Sequence, residues 1–202
     1  MPSILQTCID RVYNVQLAWQ YAADKPKPFS MDDRPEFSYS IIDQAIIERF
    51  FASEQFYMRR FSYVLRLGYV GAVVTSGDRW ASFVWMRTPG SPAPAGLSKS
   101  IVGDGYWMIN SYTDPDFRGK GLYKLNMAFL MNYVVEREQH PVVYAVTAPD
   151  NIAPHKSLRW LGFEEHGVIC VVSLWVPKLM RWPFYATWRK DQPHATLIKG
   201  AS

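Results

Sequence analysis

Two cysteines, Cys8 and Cys170, are all that the 202 residues carry, and they sit far apart with no second thiol beside either. That spacing excludes a disulfide framework and a Cys-x-x-Cys metal clip or redox pair, and leaves two reduced, buried thiols as the simple reading. Long apolar runs are also missing. The longest uncharged one, Val168 to Pro177, falls well short of the roughly 20 residues needed to cross a bilayer. The amino terminus lacks a basic stretch followed by an apolar one, so no secretory signal is expected and a cytoplasmic location is. Charge of one sign is scarce: 22 Lys+Arg against 18 Asp+Glu leave +4 at neutral pH, with a pI near 9.0. That excess argues against a nucleic-acid partner and suits a phosphorylated small ligand at least as well. No Gly-Lys precedes Ser or Thr at P-loop spacing and no Gly-x-Gly-x-x-Gly occurs, so ATP hydrolysis and NAD binding lose support.

What is plentiful is apolar and aromatic surface, 49% and 15% of the residues, enough for one domain spanning 1–202 with its own core. Apolar residues from Ile4 to Trp19 recur at helical spacing and stop at Lys25-Pro26-Lys27-Pro28, which predicts an N-terminal helix and loop over residues 1–30. A second helix is expected from Ile41 to Arg60, with Ile42, Ala45, Ile46, Phe50 and Phe51 on one face. Tyr69–Thr75 and Trp80–Arg87 read as a hairpin turning at Ser76-Gly77-Asp78-Arg79. The Pro/Gly-rich stretch Thr88–Gly96 reads as a loop over a ligand cleft. Beyond it come a strand at Tyr106–Thr113, a helix at Gly121–Glu138, a strand at Val142–Thr147, a short helix at Ile152–Leu161 and strands after Phe163. This alternation predicts an α/β layered domain, with residues 178–202 as a C-terminal tail.

Chemistry concentrates where a strand gives way to the run Asp116-Phe117-Arg118-Gly119-Lys120-Gly121-Leu122-Tyr123 and a helix begins. A helix N-terminus presents unpaired amides and the positive end of its dipole, and therefore binds phosphate wherever no bulky side chain blocks approach. Gly119 and Gly121 give that access, and Arg118 and Lys120 add cations suited to a diphosphate. The alternative is an ordinary basic turn before a surface helix. Asp104, Asp114 and Asp116 read as turn and helix-terminus residues. Asp114-Pro115-Asp116 could also be taken for an Asp-x-Asp metal pair, but no fold signal accompanies it and no metal is expected.

The run Arg118 to Tyr123 resembles the Arg/Gln-x-x-Gly-x-Gly/Ala signature of the GNAT (GCN5-related N-acetyltransferase) superfamily, with Tyr123 in place of the usual small final residue. Asn151 to Phe163, ending Leu161-Gly162-Phe163, resembles that superfamily's Asn-then-helix segment. The resemblance implies a mixed, mostly antiparallel sheet with helices on both faces and strands splayed at an acyl-CoA site. It implies an N-acetyltransferase that uses acetyl-CoA or another acyl-CoA and transfers directly to the amine of a small acceptor of sugar or amino-acid type. The cofactor contacts it implies are Ser111, Tyr112, Thr113, Arg118, Gly119, Lys120, Gly121, Leu122, Tyr123 and Asn151, with Asn151 also capping its helix. The position where relatives carry a thiolate-protonating tyrosine is Leu158 here. Tyr123, Tyr144 and Ser157 are the substitutes, and no general base stands out. His155 reads as an exposed surface histidine.

Two further readings remain open. A GNAT-shaped module that senses acyl-CoA without turnover would fit Leu158 and the missing base. The aromatic and basic stretch Leu174–Trp188 reads either as a final strand with a tail over the core or a homodimer seam, or as a membrane-surface contact.

Overall fold

A computed structural model describes residues 13–21, 34–94, 99–138, 141–176 and 180–190. Eight strands form one sheet in the order β2-β3-β4-β5-β6-β1-β7-β8. In chain order these are β1 (Tyr13–Tyr21), β2 (Ser38–Ile41), β3 (Val70–Ser76), β4 (Arg79–Arg87), β5 (Tyr106–Thr113), β6 (Val143–Thr147), β7 (Phe163–Val176) and β8 (Met180–Arg189). Among the described residues five α-helices accompany them: α1 (Gln44–Phe51), α2 (Gln55–Arg66), α3 (Lys99–Val102), α4 (Leu122–Val135) and α5 (Ile152–Leu161). Only β5 and β6 run parallel, and α4 makes the crossover between them; every other neighbouring pair is antiparallel. The α/β expectation holds, as does a mostly antiparallel sheet.

Residues 13–19, expected to be helical, form most of β1, a strand between β6 and β7. Leu17, Trp19 and Tyr21 enter one core cluster while Ala18 enters another on the opposite face. A strand buried on both faces reads as a continuous apolar run, which periodicity alone cannot separate from a helix. Residues 1–12, including Cys8, and the Lys25–Pro28 loop lie outside the described residues. The single helix expected over residues 41–60 is instead the end of β2 followed by two helices broken at Ala52-Ser53. Ile41 is already paired with Ala72 of β3, and Asp43 then starts α1 by accepting a hydrogen bond from the Ile46 amide at 2.8 Å, a standard N-cap. The expected tail begins as β8, paired along β7; residues 177–179 and 191–202 are outside the described set.

Alternation along β3 and β4 sends residues to two cores. Val73, Trp80, Phe83 and Trp85 meet Phe51 and Phe61 of α1 and α2 on one face, and Ala72, Val84 and Met86 meet Met127, Leu130 and Met131 of α4 on the other. The first core is an aromatic cluster with edge contacts Phe51–Phe61 and Phe61–Phe83 at 4.9 and 4.8 Å between centroids. Such pairs add about 0.5–1.5 kcal/mol each beyond burial.

Arg87, only 3% exposed, ends β4 and is held by backbone carbonyls. Its guanidinium donates to Ser91 O through Nε and Nη2 (3.0 and 2.7 Å) and to Gly103 O and Gly105 O through Nη1 (3.0 and 2.8 Å). This clasp ties the 88–94 loop and the turn before β5 to the sheet. Arg87→Met strands those acceptors, and buried acceptors left unpaired cost about 1–3 kcal/mol. Urea unfolding should therefore show a loss of that order in Arg87→Met, whereas the exposed Arg66→Met should shift stability by less than about 0.5 kcal/mol.

Candidate active site

β5 pairs with β6 for three residues only, Tyr106↔Val143, Trp107↔Tyr144 and Met108↔Ala145. Beyond them β5 stays with β4 while β6 stays with β1. At the parting point Asn110 takes φ +40°, the one non-glycine residue with positive φ among those described, and the β4–β5 register slips between Phe83 and Trp85. A bulge with a left-handed residue bends a strand away from its neighbour. It opens a cleft of about 1120 Å³, lined on the strands by Met108, Ile109, Asn110, Ser111, Ala145 and Thr147. α4 and α5 supply Tyr123, Met127 and Leu158. α2 forms another wall, and the loop residues Pro92, Ala93 and Pro94 a further edge, as expected for a stretch bordering a cleft.

The start of α4 lies beside this cleft through Tyr123. Asp114 Oδ1 accepts from the Asp116 amide (2.9 Å) and sets a 3-10 turn at Pro115–Phe117. Arg79 then pairs with Asp116 at 2.8 Å and approaches Asp114 at 3.8 Å. These contacts match the reading of both aspartates as turn residues, and the described residues contain no group of three or more His, Cys, Asp or Glu able to hold a metal. Gly119 and Gly121 have φ +78° and +73°, and a Cβ on either would meet no atom closer than 3.5 Å. Their need for glycine is conformational, and the space beside them is open. Among the described residues the Gly119 and Gly121 amides donate to no backbone carbonyl. The first turn of α4 holds no acidic residue and carries Lys124, the reverse of what a bare helix N-terminus prefers and what an anion there would favour.

The predicted cofactor residues divide. Ser111 and Tyr123 line the cleft. Arg118 to Gly121 are exposed at the helix start; Arg118 Nε donates to Thr113 O (3.2 Å) and Lys120 lies over Phe37 and Phe117 at 5.6 and 5.4 Å. The Leu122 side chain is core, packed with Phe37, Val74 and Ala81, so only its backbone is available to a ligand. Tyr112 stacks on Phe83 at 6.1 Å, and Thr113 Oγ1 shares a hydrogen bond with Ser82 Oγ at 3.1 Å. Asn151 is exposed, sits at the N-cap position of α5 without a capping bond, and does not line the cleft. The expected cap is thus absent.

Of the three substitute acids, Tyr123 alone reaches the cleft. Tyr144 packs between Trp107 and Trp188 at 4.9 and 5.2 Å, on the far side of β6 from Ala145. Ser157 Oγ donates back to Ala153 O at 3.3 Å. Burial pushes the Tyr123 phenol above its ordinary value, with the neighbouring Ser111 hydroxyl acting in the opposite direction. His155, expected to be exposed, is half-buried: its ring lies 5.3 Å from that of Trp19, and its Nε2 is 3.0 Å from Ala148 O. Leu158, at the position that the sequence resemblance matches to a tyrosine, is 1% exposed and lines the cleft. Sequence reasoning missed Gln16 of β1 and the α2 wall, where Phe56, Arg59, Arg60 and Tyr63 recur at helical spacing on the cleft side. That polar and aromatic stripe was the available signal.

No known family profile matches the chain, and no curated protein matches its sequence. Solved structures do match its fold. A GNAT-family protein from Novosphingobium aromaticivorans aligns with TM-score 0.53 at 18% identity over 78% of this chain. A GCN5-related N-acetyltransferase-like protein from Streptococcus suis gives 0.53 at 17% over 83%, and a GNAT-family acetyltransferase from Colwellia psychrerythraea 0.53 at 14% over 78%. The fold is that of the GNAT acetyltransferases. The chain spans 62%, 64% and 56% of the length of these three GNAT proteins, respectively. Within this GNAT fold, the parting of β5 and β6 is the expected splay.

Desolvation raises the phenols of Tyr21, Tyr57, Tyr69, Tyr123 and Tyr144 above their ordinary value. Groups raised on folding contribute stability that is complete below the unfolded value, about 10, and lost as pH climbs through the folded values. Urea midpoints should therefore show no tyrosine-linked loss between pH 7 and 9 and a decline above pH 10. Tyr123→Phe should shrink that decline.

Proposed function

We propose that the chain is an acyl-CoA-dependent N-acyltransferase, using acetyl-CoA most directly, that passes its acyl group to the amine of a small acceptor of sugar or amino-acid type. The observation that carries this reading is the splay of β5 from β6 beside a helix N-terminus built from Arg118-Gly119-Lys120-Gly121. The CoA diphosphate would sit on the amides from Gly119 to Leu122 with Arg118 and Lys120 at its edge. The pantetheine arm would run into the cleft and pair with backbone groups that β5 does not give to β6. Attack by the amine forms the C–N bond and breaks the C–S bond. A backbone N–H near Ser111 or Tyr112 meets the charge developing on the carbonyl oxygen.

Tyr123 is our candidate for protonating the departing thiolate. Its hydroxyl is at the cleft, its raised pKa keeps it protonated at neutral pH, and Leu158 leaves the usual position without an acid. On the other side of the reaction the cleft offers no carboxylate or histidine among its described lining residues. Proton loss from the amine then falls to solvent, and kcat/KM should rise with pH along the acceptor's own ionisation curve.

The same lack of a base favours a second reading, an acyl-CoA-binding module without turnover. Thiol release from acetyl-CoA across a panel of amines separates the two: binding without release selects the module. For the enzyme, Tyr123→Phe should lower kcat on the order of 10²-fold with little change in acetyl-CoA affinity. An unchanged kcat would remove Tyr123 from the mechanism.

A further inference from the structure

The charge of the cleft constrains the acceptor, an inference that rests on the acyl-CoA reading and deepens it. Along α2, Phe56, Arg59, Arg60 and Tyr63 face the cleft on successive turns. Among the described residues, Arg59 and Arg60 are its only lining residues charged at neutral pH, with no Asp, Glu, Lys or His beside them in the lining. Both are exposed, and neither forms an ion pair among the described residues, although the Arg60 guanidinium lies 5.9 Å from the centre of the Phe56 ring. The nearby acid, Glu54, is occupied with Trp80 Nε1 at 2.6 Å.

Two arginines spared from local pairing, in a recess whose described lining carries no counter-charge, make an anion site whose planar forks match carboxylate or phosphate. They also repel a polycation. Beside them Phe56 and Tyr63 stand 67% and 55% exposed, an unusual state for large aromatic side chains in a concave wall, and one that offers flat apolar contact. Gln16 adds a buried amide oxygen, Oε1, with no hydrogen-bond partner among the described residues, suited to an N–H or O–H of a ligand.

We infer that the acceptor is an anionic amine, bearing a carboxylate or phosphate that Arg59 and Arg60 hold against the Phe56 and Tyr63 surface. The pyrophosphate loop at the start of α4 is a separate set of cations, so the two anion sites can be perturbed independently.

The test uses the full chain saturated with CoA and measures equilibrium binding of matched amines by calorimetry. The pairs are phenylalanine with phenylalaninamide, and glucosamine 6-phosphate with glucosamine; spermidine serves as the polycation. We expect the member carrying the carboxylate or phosphate in at least one pair to bind tenfold or more tightly than its partner without that group. Which pair responds tells carboxylate from phosphate. Arg59→Glu/Arg60→Glu should abolish that preference while the CoA affinity and the thermal midpoint stay close to wild type. Tightest binding by spermidine, equal binding within both pairs, absence of binding by either anion, or a preference that survives the double variant would each overturn the inference. If instead the double variant loses CoA binding, the arginines belong to the CoA site and the inference also fails. Failure of the wild type to bind CoA strikes the underlying acyl-CoA reading, and an anion preference measured without CoA would then still stand.

Discussion

The two edges of β5 are not equivalent, and much of the molecule follows from that difference. One edge stays paired with β4 as far as Thr113 opposite Ser82, while the other leaves β6 after Met108 opposite Ala145. Backbone groups released in this way need partners or water, and a strand edge is a template for an extended ligand. Asn110, at φ +40°, is where the chain accommodates the change. Its side chain tolerates the left-handed region better than most, at a backbone cost that structures accept at functional sites when the surroundings hold the residue in place.

Those surroundings are substantial. Asn126 of α4, fully buried, donates from Nδ2 to Ala72 O and Ser82 O, both at 3.2 Å, and locks the helix onto β3 and β4. Ser82 in turn donates to Tyr112 O at 3.1 Å, across the slipped β4–β5 register. On the opposite face the aromatic cluster fixes α1 and α2 against the same strands, so the Arg59 and Arg60 wall stands on a rigid base. Tyr69 Oη donates to Pro92 O at 2.8 Å, and with the Arg87 clasp it sets the loop edge of the cleft.

Much of this was legible in the sequence because local rules and tertiary context agree there. The hairpin, β5, α4 and α5 follow from alternation, turn residues and apolar faces, and the Arg118–Gly121 loop is recognisable because its glycines, cations and position before a helix point the same way. Elsewhere context overruled pattern. β1 is buried on both faces, which removes the polar alternation that marks a strand. Asn151 occupies the capping position without forming the cap, and Tyr144 is directed to an aromatic cluster by the sheet's own alternation. The α2 wall was hidden for another reason: Arg59 and Tyr63 look like an ordinary solvated helix face until the fold puts the cleft in front of them.

The proposed CoA site joins the splay of β5 to the start of α4. Calorimetric titration with acetyl-CoA, of the wild type and of an Arg118→Ala/Gly121→Asp variant, tests it most directly. That variant removes a cation and places a carboxylate where the diphosphate would lie. Saturable binding by the wild type and its loss in a folded variant are expected. Absence of binding by the wild type, or equal binding by both proteins, would contradict the proposed site.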